Sequence, residues 1–133
     1  LSRREYGFYE LVEKLVLYGF LKETALIAVE NLVSEGLQDD QRYVESFVQS
    51  RINQGKGPLR IQQELQHRKV SDNLINDAIN ETTENWFELA EKVRLKKFGS
   101  TIPLDFQKKA KEMKFLKYRG FESDHIQYAM KNR

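Results

Sequence analysis

The chain has 133 residues, a net charge of +2, 40% apolar and 32% charged residues, and no cysteine. These values fit an ordinary globular chain and exclude disulfides, thiolate metal sites and cysteine nucleophiles. No apolar run approaches the roughly 18 residues of a membrane span and no signal-peptide pattern is present, so we expect a cytoplasmic protein without membrane contact.

Helix is predicted nearly throughout, because proline and glycine are rare and no alternating strand pattern competes. Residues 1–5 are expected to be the tail of a first helix whose beginning is missing, because native sequence upstream has been removed, processed or left unresolved. The alternative is a capping box, Ser2-x-x-Glu5, that starts a helix at Arg3.

Capping residues predict the later helices. Asp39 or Asp40 starts a helix that runs to about Asn53, and Gly57-Pro58 starts one that ends near Arg68. Four more are predicted: from Ser71 or Asp72 to about Thr82, from Thr82 or Thr83 to about Lys97, from Pro103 to about Arg119, and from Ser123 onward. Together with one helix before Gly19 and one after it, these make eight predicted helices and one fragment.

An internal repeat aligns three windows of the chain without a gap. The aligned sets are Leu15, Leu65 and Leu116; Gly19, Lys69 and Gly120; Phe20, Val70 and Phe121; Ala25, Ile75 and Ile126; and Ala28, Ala78 and Ala129. The pattern predicts a helix end, a left-handed glycine turn, and a new helix whose Ala-or-Ile and Ala, three positions apart, face the core. Because Lys69 replaces glycine, the middle turn should be strained or differently built.

A second shared segment precedes that turn. Tyr43-Val44-x-x-Phe47 matches Trp86-Phe87-x-x-Ala90, and Arg51 falls opposite Arg94. The smaller offset implies about eight extra residues near Gly99, which we expect in a loop. The fold prediction is all-α, an elongated tandem array of three-helix repeats with units 1–36 (lacking part of its leading helix), 37–82 and 83–133.

Three stretches occur in a specific order: Asp39-Asp40-x-Arg42-Tyr43-x-x-x-Phe47-Val48-x-Ser50-Arg51, Gly55-Lys56-Gly57-Pro58-x-Arg60-Ile61-x-x-Glu64-Leu65, and Phe115-Leu116-x-x-Arg119-Gly120-Phe121. Together with Arg3-Arg4-Glu5 near the start, they resemble the RecX family of RecA regulators over essentially the whole chain. Gln38 and Val44 depart from the family pattern, as does Lys69-Val70.

The resemblance implies a non-enzymatic modulator, usually an inhibitor, of the RecA recombinase in homologous recombination and SOS repair. Such a protein is expected to bind as a monomer in the groove of the RecA–DNA filament, without a cofactor. There it would affect ATP hydrolysis, strand exchange and co-protease activity, and single- or double-stranded DNA is a further candidate partner. The alternative is an independent nucleic-acid-binding helical protein.

Basic residues are concentrated toward the C-terminus, since residues 1–82 carry a net charge of −3 and residues 83–133 one of +5. The main candidate group is Arg94, Lys96, Lys97, Lys108, Lys109, Lys111, Lys114, Lys117 and Arg119, with Lys92 beside them. A second group is Arg51, Lys56, Arg60, Arg68 and Lys69. Such groups would follow a DNA backbone or meet an acidic protein surface, and the alternative is an ordinary solvated surface.

Catalytic and metal sites have little support. We expect His67 at a helix end and His125 exposed at a helix start, with no zinc partner for either. Asp39 and Asp40 are expected to cap a helix and not to bind magnesium. The amides after Gly57 could receive a carboxylate or phosphate.

Aromatic side chains at repeat-equivalent positions are expected in the core and not as base-stacking platforms. They are Tyr43, Phe47, Trp86, Phe87, Phe106, Phe115 and Phe121.

Overall fold

A computed structural model describes residues 4–131, and all regular secondary structure in that range is helical. The eight helices are α1 (Phe8–Leu17), α2 (Lys22–Ser34), α3 (Asp40–Asn53), α4 (Pro58–His67), α5 (Asp72–Glu81), α6 (Trp86–Phe98), α7 (Phe106–Tyr118) and α8 (Ser123–Ala129). None of these helices is long and apolar enough to cross a bilayer. The predicted all-helical fold is confirmed.

The first helix of the described chain begins at Phe8, and the predicted helix tail before it is not seen. Residues 4–7 are not helical, and the remainder of the predicted helix tail, like Ser2 of the alternative capping box, lies outside the described residues. The backbone N–H of Gly7 donates to Glu10 Oε1 at 3.2 Å. Glu10 in the first turn thus satisfies a backbone donor that the helix itself leaves open.

The adjacent carboxylates Asp39 and Asp40 serve two different helices. Asp39 Oδ1 accepts from the backbone N–H of Gln41 at 2.8 Å, which makes Asp39 the cap of α3. Asp40 Oδ1 accepts from the backbone N–H of Phe8 at 2.9 Å, the first residue of α1. The capping prediction is confirmed for Asp39, and Asp40 caps a helix thirty-two positions away in sequence.

Two later helix starts differ from the prediction. Asn85 caps α6 by accepting from Phe87 and Glu88, so neither Thr82 nor Thr83 opens this helix. Asp105 caps α7 by accepting from the backbone N–H of Gln107, so this helix begins at Phe106, three residues after the predicted start at Pro103. In each case an Asn or Asp nearer the helix supplies a cap of the preferred type.

The final helix also starts differently, because Ser123 is its first helical residue and Glu122 its N-cap. The backbone N–H of Glu122 donates to His125 Nδ1 at 3.2 Å. The side chain that satisfies this helix start therefore belongs to the histidine and not to the serine.

The repeated turn has the same hydrogen bonds in all three copies. The residue after each turn donates to the aligned leucine: Phe20 to Leu15 O at 3.1 Å, Val70 to Leu65 O at 3.2 Å, and Phe121 to Leu116 O at 3.2 Å. The turn residues Gly19, Lys69 and Gly120 have φ values of 102°, 61° and 98°. This is the Schellman motif, which confirms the predicted equivalence.

Lys69 is the only non-glycine residue with positive φ in the described part of the chain. The middle turn is therefore built like the other two and is strained, since a left-handed conformation costs a side-chain-bearing residue about 1–2 kcal/mol.

The helix after each turn buries its first aligned position in every repeat, but not its second. Ala25, Ile75 and Ile126 are all buried, whereas Ala28 is exposed and Ala78 half-buried, with only Ala129 in the core. Val29 fills the core position in the first repeat and is fully buried. The predicted inward face was wrong by one residue there, a rotation of about 100°.

The eight or so extra residues of the third repeat are not confined to a loop. The connection before α7 has seven residues, 99–105, against four, 54–57, before α4. In addition α7 has 13 residues and α4 has 10. Part of the extra length therefore extends helices, which corrects the predicted loop insertion.

The chain forms two compact units. The N-terminal compact unit comprises the residues up to Val48 and Glu64–Asn80, and the C-terminal compact unit comprises Gln49–Gln63 and the residues from Glu81 on. In the N-terminal compact unit, Val12, Ala25 and Val29 form a core against which Phe8, Leu11, Leu15 and Leu26 pack. In the C-terminal compact unit, α6 packs against α8 and α7.

Candidate interaction surface

Arg68 in the N-terminal compact unit is held by a carboxylate, a phenol and an aromatic ring. Its Nη1 donates to Glu10 Oε2 at 3.2 Å and to the Tyr43 hydroxyl oxygen at 3.1 Å. The guanidinium carbon lies 4.9 Å from the centre of the Phe47 ring. Burial raises the pKa of the Tyr43 phenol above its usual 10.0, against the opposing effect of the Arg68 hydrogen bond. This arginine has its counter-charge inside its own unit.

Lys69, next in the same turn, also faces a carboxylate. Its Nζ lies 3.9 Å from Glu13 Oε1 and 5.9 Å from the centre of the Tyr9 ring. The lysine side chain is 63% exposed, so the pair contributes little to stability but leaves the cation accessible.

In the C-terminal compact unit, the start of α4 meets the end of α7 through main-chain hydrogen bonds. The N–H of Gly57 donates to Arg119 O at 2.8 Å, and the N–H of Leu59 donates to Gly120 O at 3.0 Å. Arg60 Nη1 donates to Tyr118 O at 3.2 Å. The amides that the sequence suggested for an external carboxylate or phosphate are thus already engaged with carbonyl oxygens, and that prediction was wrong.

Arg94 is buried, so its predicted place in the surface group of cations was wrong. It is 2% exposed, and its Nη1 donates to Glu112 Oε1 at 2.9 Å. Its Nη2 lies 3.5 Å from Ser100 O. This interior ion pair joins α6 to α7, so the guanidinium is part of the packing of the unit and is not available at the surface.

A cavity of about 700 Å³, which we call the basic pocket, lies between the end of α3, α6 and α7. Its lining includes the cations Lys92, Lys96, Lys97 and Arg119, the amides Gln49, Asn53 and Gln54, the apolar residues Ile52, Leu89, Val93 and Phe115, and also Gly55 and Glu84. Gly55 has φ +78°, and a Cβ there would lie 2.9 Å from Val93 Cγ2. The glycine therefore permits both the turn after α3 and its close approach to α6.

Arg119 and Lys97 flank one aromatic ring of the basic pocket. The Arg119 guanidinium carbon lies 5.2 Å and Lys97 Nζ 5.6 Å from the centre of the Phe115 ring. Arg119 Nη1 also donates to Gln54 O at 2.9 Å. The edge-on contact of Phe98 with Phe115, at 5.3 Å between centroids, fixes the ring from another direction. The cations are therefore positioned by packing and a main-chain contact.

The lysines of α7 are exposed, apart from half-buried Lys109. Lys114 and Lys117 line a second cavity of about 500 Å³, together with Leu59, Met113, Phe121, Glu122, Ser123, Ile126 and Gln127. Lys108, Lys109 and Lys111 line neither cavity. The lysines of α7 in the main candidate group are thus divided between the second cavity and the remainder of the helix.

The second predicted group of cations does not form one patch inside either unit. Arg68 and Lys69 belong to the N-terminal compact unit, and Arg51, Lys56 and Arg60 to the C-terminal one. The last three are each half-buried.

Two further predictions were wrong. His125 is buried, 4.7 Å from the Phe87 ring and 6.4 Å from the Phe121 ring between centroids, where an exposed residue was expected. Phe106 is 81% exposed where a core residue was expected. Phe87, at 36% exposed, is only partly covered. Within residues 4–131, no group of three or more His, Asp or Glu residues could hold a metal ion.

The residues that sequence reasoning missed are the amides of the basic pocket, Gln49, Asn53 and Gln54, and its apolar residues Ile52, Leu89 and Val93. The sequence held one signal for the environment of Arg119, because the repeat alignment places this arginine opposite Arg68. Both arginines follow the last residue of a helix and lie near an aromatic ring.

Comparisons with known proteins identify relatives over nearly the full chain. The family model of the second three-helix domain of RecX matches residues 39–79, and that of the third three-helix domain matches residues 83–130. Regulatory protein RecX of Vibrio vulnificus is 38% identical over 130 residues, 98% of this chain and 85% of that protein. The same-named protein of Acinetobacter baylyi is 40% identical over 130 residues, 98% of this chain and 80% of that protein.

A solved structure described as a crystal structure of regulatory protein RecX has a similar fold. The TM-score is 0.79 at 28% sequence identity, and the match covers 95% of this chain. The present chain spans 64% of the length of that solved chain.

Proposed function

The chain belongs to the RecX family of regulatory proteins, and we propose that it modulates the RecA recombinase, acting as an inhibitor. The observation that carries the proposal is the similarity to regulatory proteins named RecX over 98% of the chain. The partner is a RecA filament on DNA, with the protein bound as a monomer in the filament groove.

The proposed mechanism is a bridge between neighbouring RecA protomers. Units 1–36, 37–82 and 83–133 act as three related modules, and each adds a modest contact. Simultaneous contact with two protomers raises the effective concentration of the second contact and hence the affinity. A bridge that fits one inter-protomer geometry better than others shifts the filament toward that geometry. ATP hydrolysis, strand exchange and co-protease activity would change together.

We assign the partner surface to the cations predicted from the sequence, without Arg94, which is buried. They are Arg51, Lys56, Arg60, Arg68, Lys69, Lys96, Lys97, Lys108, Lys109, Lys111, Lys114, Lys117 and Arg119. Positive groups of this kind steer association and set orientation against an acidic surface more than they add affinity.

The test is RecA-catalysed ATP hydrolysis on filaments formed beforehand on single-stranded DNA. Addition of the protein at a small fraction of the RecA concentration should lower the hydrolysis rate, because one bridge constrains more than one protomer. An unchanged rate at all ratios up to equimolar would remove RecA modulation.

An independent nucleic-acid-binding function is the second candidate. The exposed lysines Lys108, Lys111, Lys114 and Lys117 on α7 support it, since they make no ion pair within residues 4–131. This function requires binding to naked DNA whose affinity falls steeply with salt, by about one power of salt concentration per phosphate contact. It further requires that the protein no longer inhibit RecA when DNA is in excess, because the two proteins then do not compete for the same DNA.

A further inference from the structure

The cations of the basic pocket lack counter-charges within the described chain. Lys92, Lys96, Lys97 and Arg119 make no ion pair among residues 4–131. Glu84 is the one carboxylate in the lining. The cavity thus has four positive charges and one negative charge in its lining. The resulting positive potential is screened less by solvent than it would be on a flat, fully solvated surface.

Arg68, the repeat equivalent of Arg119, indicates which kind of partner Arg119 lacks. Arg68 combines an aromatic neighbour, Phe47, with a carboxylate, Glu10, at 3.2 Å. Arg119 retains the aromatic neighbour, Phe115, but hydrogen-bonds to a backbone carbonyl where Arg68 has a carboxylate. An arginine guanidinium has five N–H donors, so Arg119 can still receive a carboxylate from outside the chain.

The remaining lining favours a peptide over a nucleic acid. The ring of Phe115 already has two cations near it, Lys97 and Arg119, which compete with a nucleobase for the same ring. Gln49, Asn53 and Gln54 supply side-chain amides that can pair with peptide groups. Ile52, Leu89 and Val93 offer an apolar floor that a phosphate backbone would not use.

We propose that the basic pocket binds a short acidic segment of a partner protein, with a carboxylate on Arg119 and one apolar side chain against Ile52, Leu89 and Val93. The volume of about 700 Å³ suits a ligand of a few residues. The inference rests on the proposed function only in that the regulated protein would supply the segment; binding itself needs no filament.

The experiment uses fluorescein-labelled acidic hexapeptides, Asp-Glu-X-X-Glu-Asp, in which X is Leu, Ile, Phe or Trp, and measures anisotropy against the full 133-residue chain. The pocket variant is Lys92→Gln with Lys96→Gln, which removes two exposed charges. The matched control is Lys22→Gln with Lys131→Gln, which removes two exposed charges outside the pocket. We expect the dissociation constant to rise about tenfold for the pocket variant and less than twofold for the control.

Two altered probes test the chemistry of the ligand. A peptide with Asn and Gln in place of the acids should bind at least tenfold more weakly, and one with Ser at both X positions severalfold more weakly. Methyl resonances of Leu89 and Val93 should shift when the Leu peptide is added but not when the Ser peptide is added.

Three results would overturn the proposal: equal weakening in both double variants, equal binding of the uncharged peptide, or displacement of the peptide by oligo(dT) with the same dependence on Lys92 and Lys96. The last would make the pocket a nucleic-acid site. Failure of every hexapeptide to bind, with RecA ATP hydrolysis still inhibited, rejects the pocket ligand and leaves the proposed function standing. Peptide binding without any effect on RecA ATP hydrolysis rejects the proposed function and leaves the pocket ligand standing.

Discussion

The guanidinium of Arg94 donates to the carboxylate of Glu112 across 2.9 Å, with 2% and 10% of the two side chains exposed. Arg94 Nε has no hydrogen-bond partner in the described chain. The pair therefore holds α6 against α7 at an electrostatic cost that only the mutual attraction offsets.

Replacement Glu112→Gln should lower the free energy of unfolding by about 3 kcal/mol, because it leaves a buried guanidinium without its counter-charge. Urea denaturation measures the loss. The exposed Glu81→Gln is the control, with an expected change within about 0.5 kcal/mol. Joint replacement of Arg94 and Glu112 by leucine should recover much of the stability, and a double variant as unstable as the single one would contradict this account.

Gly120→Ala should destabilise the protein more than Gly19→Ala, although both glycines occupy the same turn position at φ near 100°. A Cβ on Gly120 would lie 2.5 Å from the backbone nitrogen of Arg60, whereas one on Gly19 meets nothing within 4 Å. Both variants incur the left-handed cost of about 1–2 kcal/mol, and Gly120→Ala adds about 1–3 kcal/mol of overpacking. Equal losses in chemical denaturation would show that the α4–α7 contact yields easily.

Lys69→Gly should make the chain about 1 kcal/mol more stable than Lys69→Ala, because glycine adopts φ 61° without the steric cost. Both variants lose the same ion pair with Glu13, so their difference isolates the backbone strain. Thermal unfolding of the two proteins in parallel provides the measurement. A more stable alanine variant would mean that the middle turn is not strained.

The raised pKa of Tyr43 predicts a loss of stability in alkali. A group with a folded-state pKa above its unfolded value of 10.0 stabilises the fold fully below that pH, and this contribution disappears as pH rises through the folded pKa. The stability advantage of the wild type over Tyr43→Phe should therefore shrink as the pH rises above about 10. Tyr9→Phe, at a 42% exposed residue, should show no such trend, and a constant difference for Tyr43→Phe would argue against the burial effect.

Charge reversal at Lys108, Lys111 and Lys114 tests the α7 lysines as part of the RecA contact. The triple glutamate variant should inhibit RecA ATP hydrolysis at least tenfold less effectively, because like charges would then face an acidic partner surface. Lys22→Glu with Lys131→Glu is the control for charge reversal at exposed lysines outside α7. Full inhibition by the triple variant would assign the α7 lysines to solvation alone.

Local signals were sufficient for the parts of the fold that depend on neighbours in sequence. The turn from Leu65 to Val70 was predicted by alignment alone, and its strain at Lys69 followed from the missing glycine. Asp39 was predicted as a cap from its position before an apolar run. Such features involve residues within about one helical turn.

Features that depend on packing between distant segments were not predictable in the same way. Arg94 has the same chemical type as its exposed neighbours, and only its pairing with Glu112, eighteen positions later, distinguishes it. His125 was expected at the surface because nothing local indicates that Phe87 and Phe121 would enclose it. The basic pocket likewise combines α3, α6 and α7, whose cations were predicted without the amides and apolar residues beside them.

The join between α4 and α7 is made by main-chain atoms, Gly57 N–H to Arg119 O and Leu59 N–H to Gly120 O. These two hydrogen bonds depend on the path of the backbone and on Gly57 and Gly120, and little on the identity of the neighbouring side chains. Substitution of the exposed Tyr118 should therefore leave the joint closed, so this surface position can change without loss of the fold.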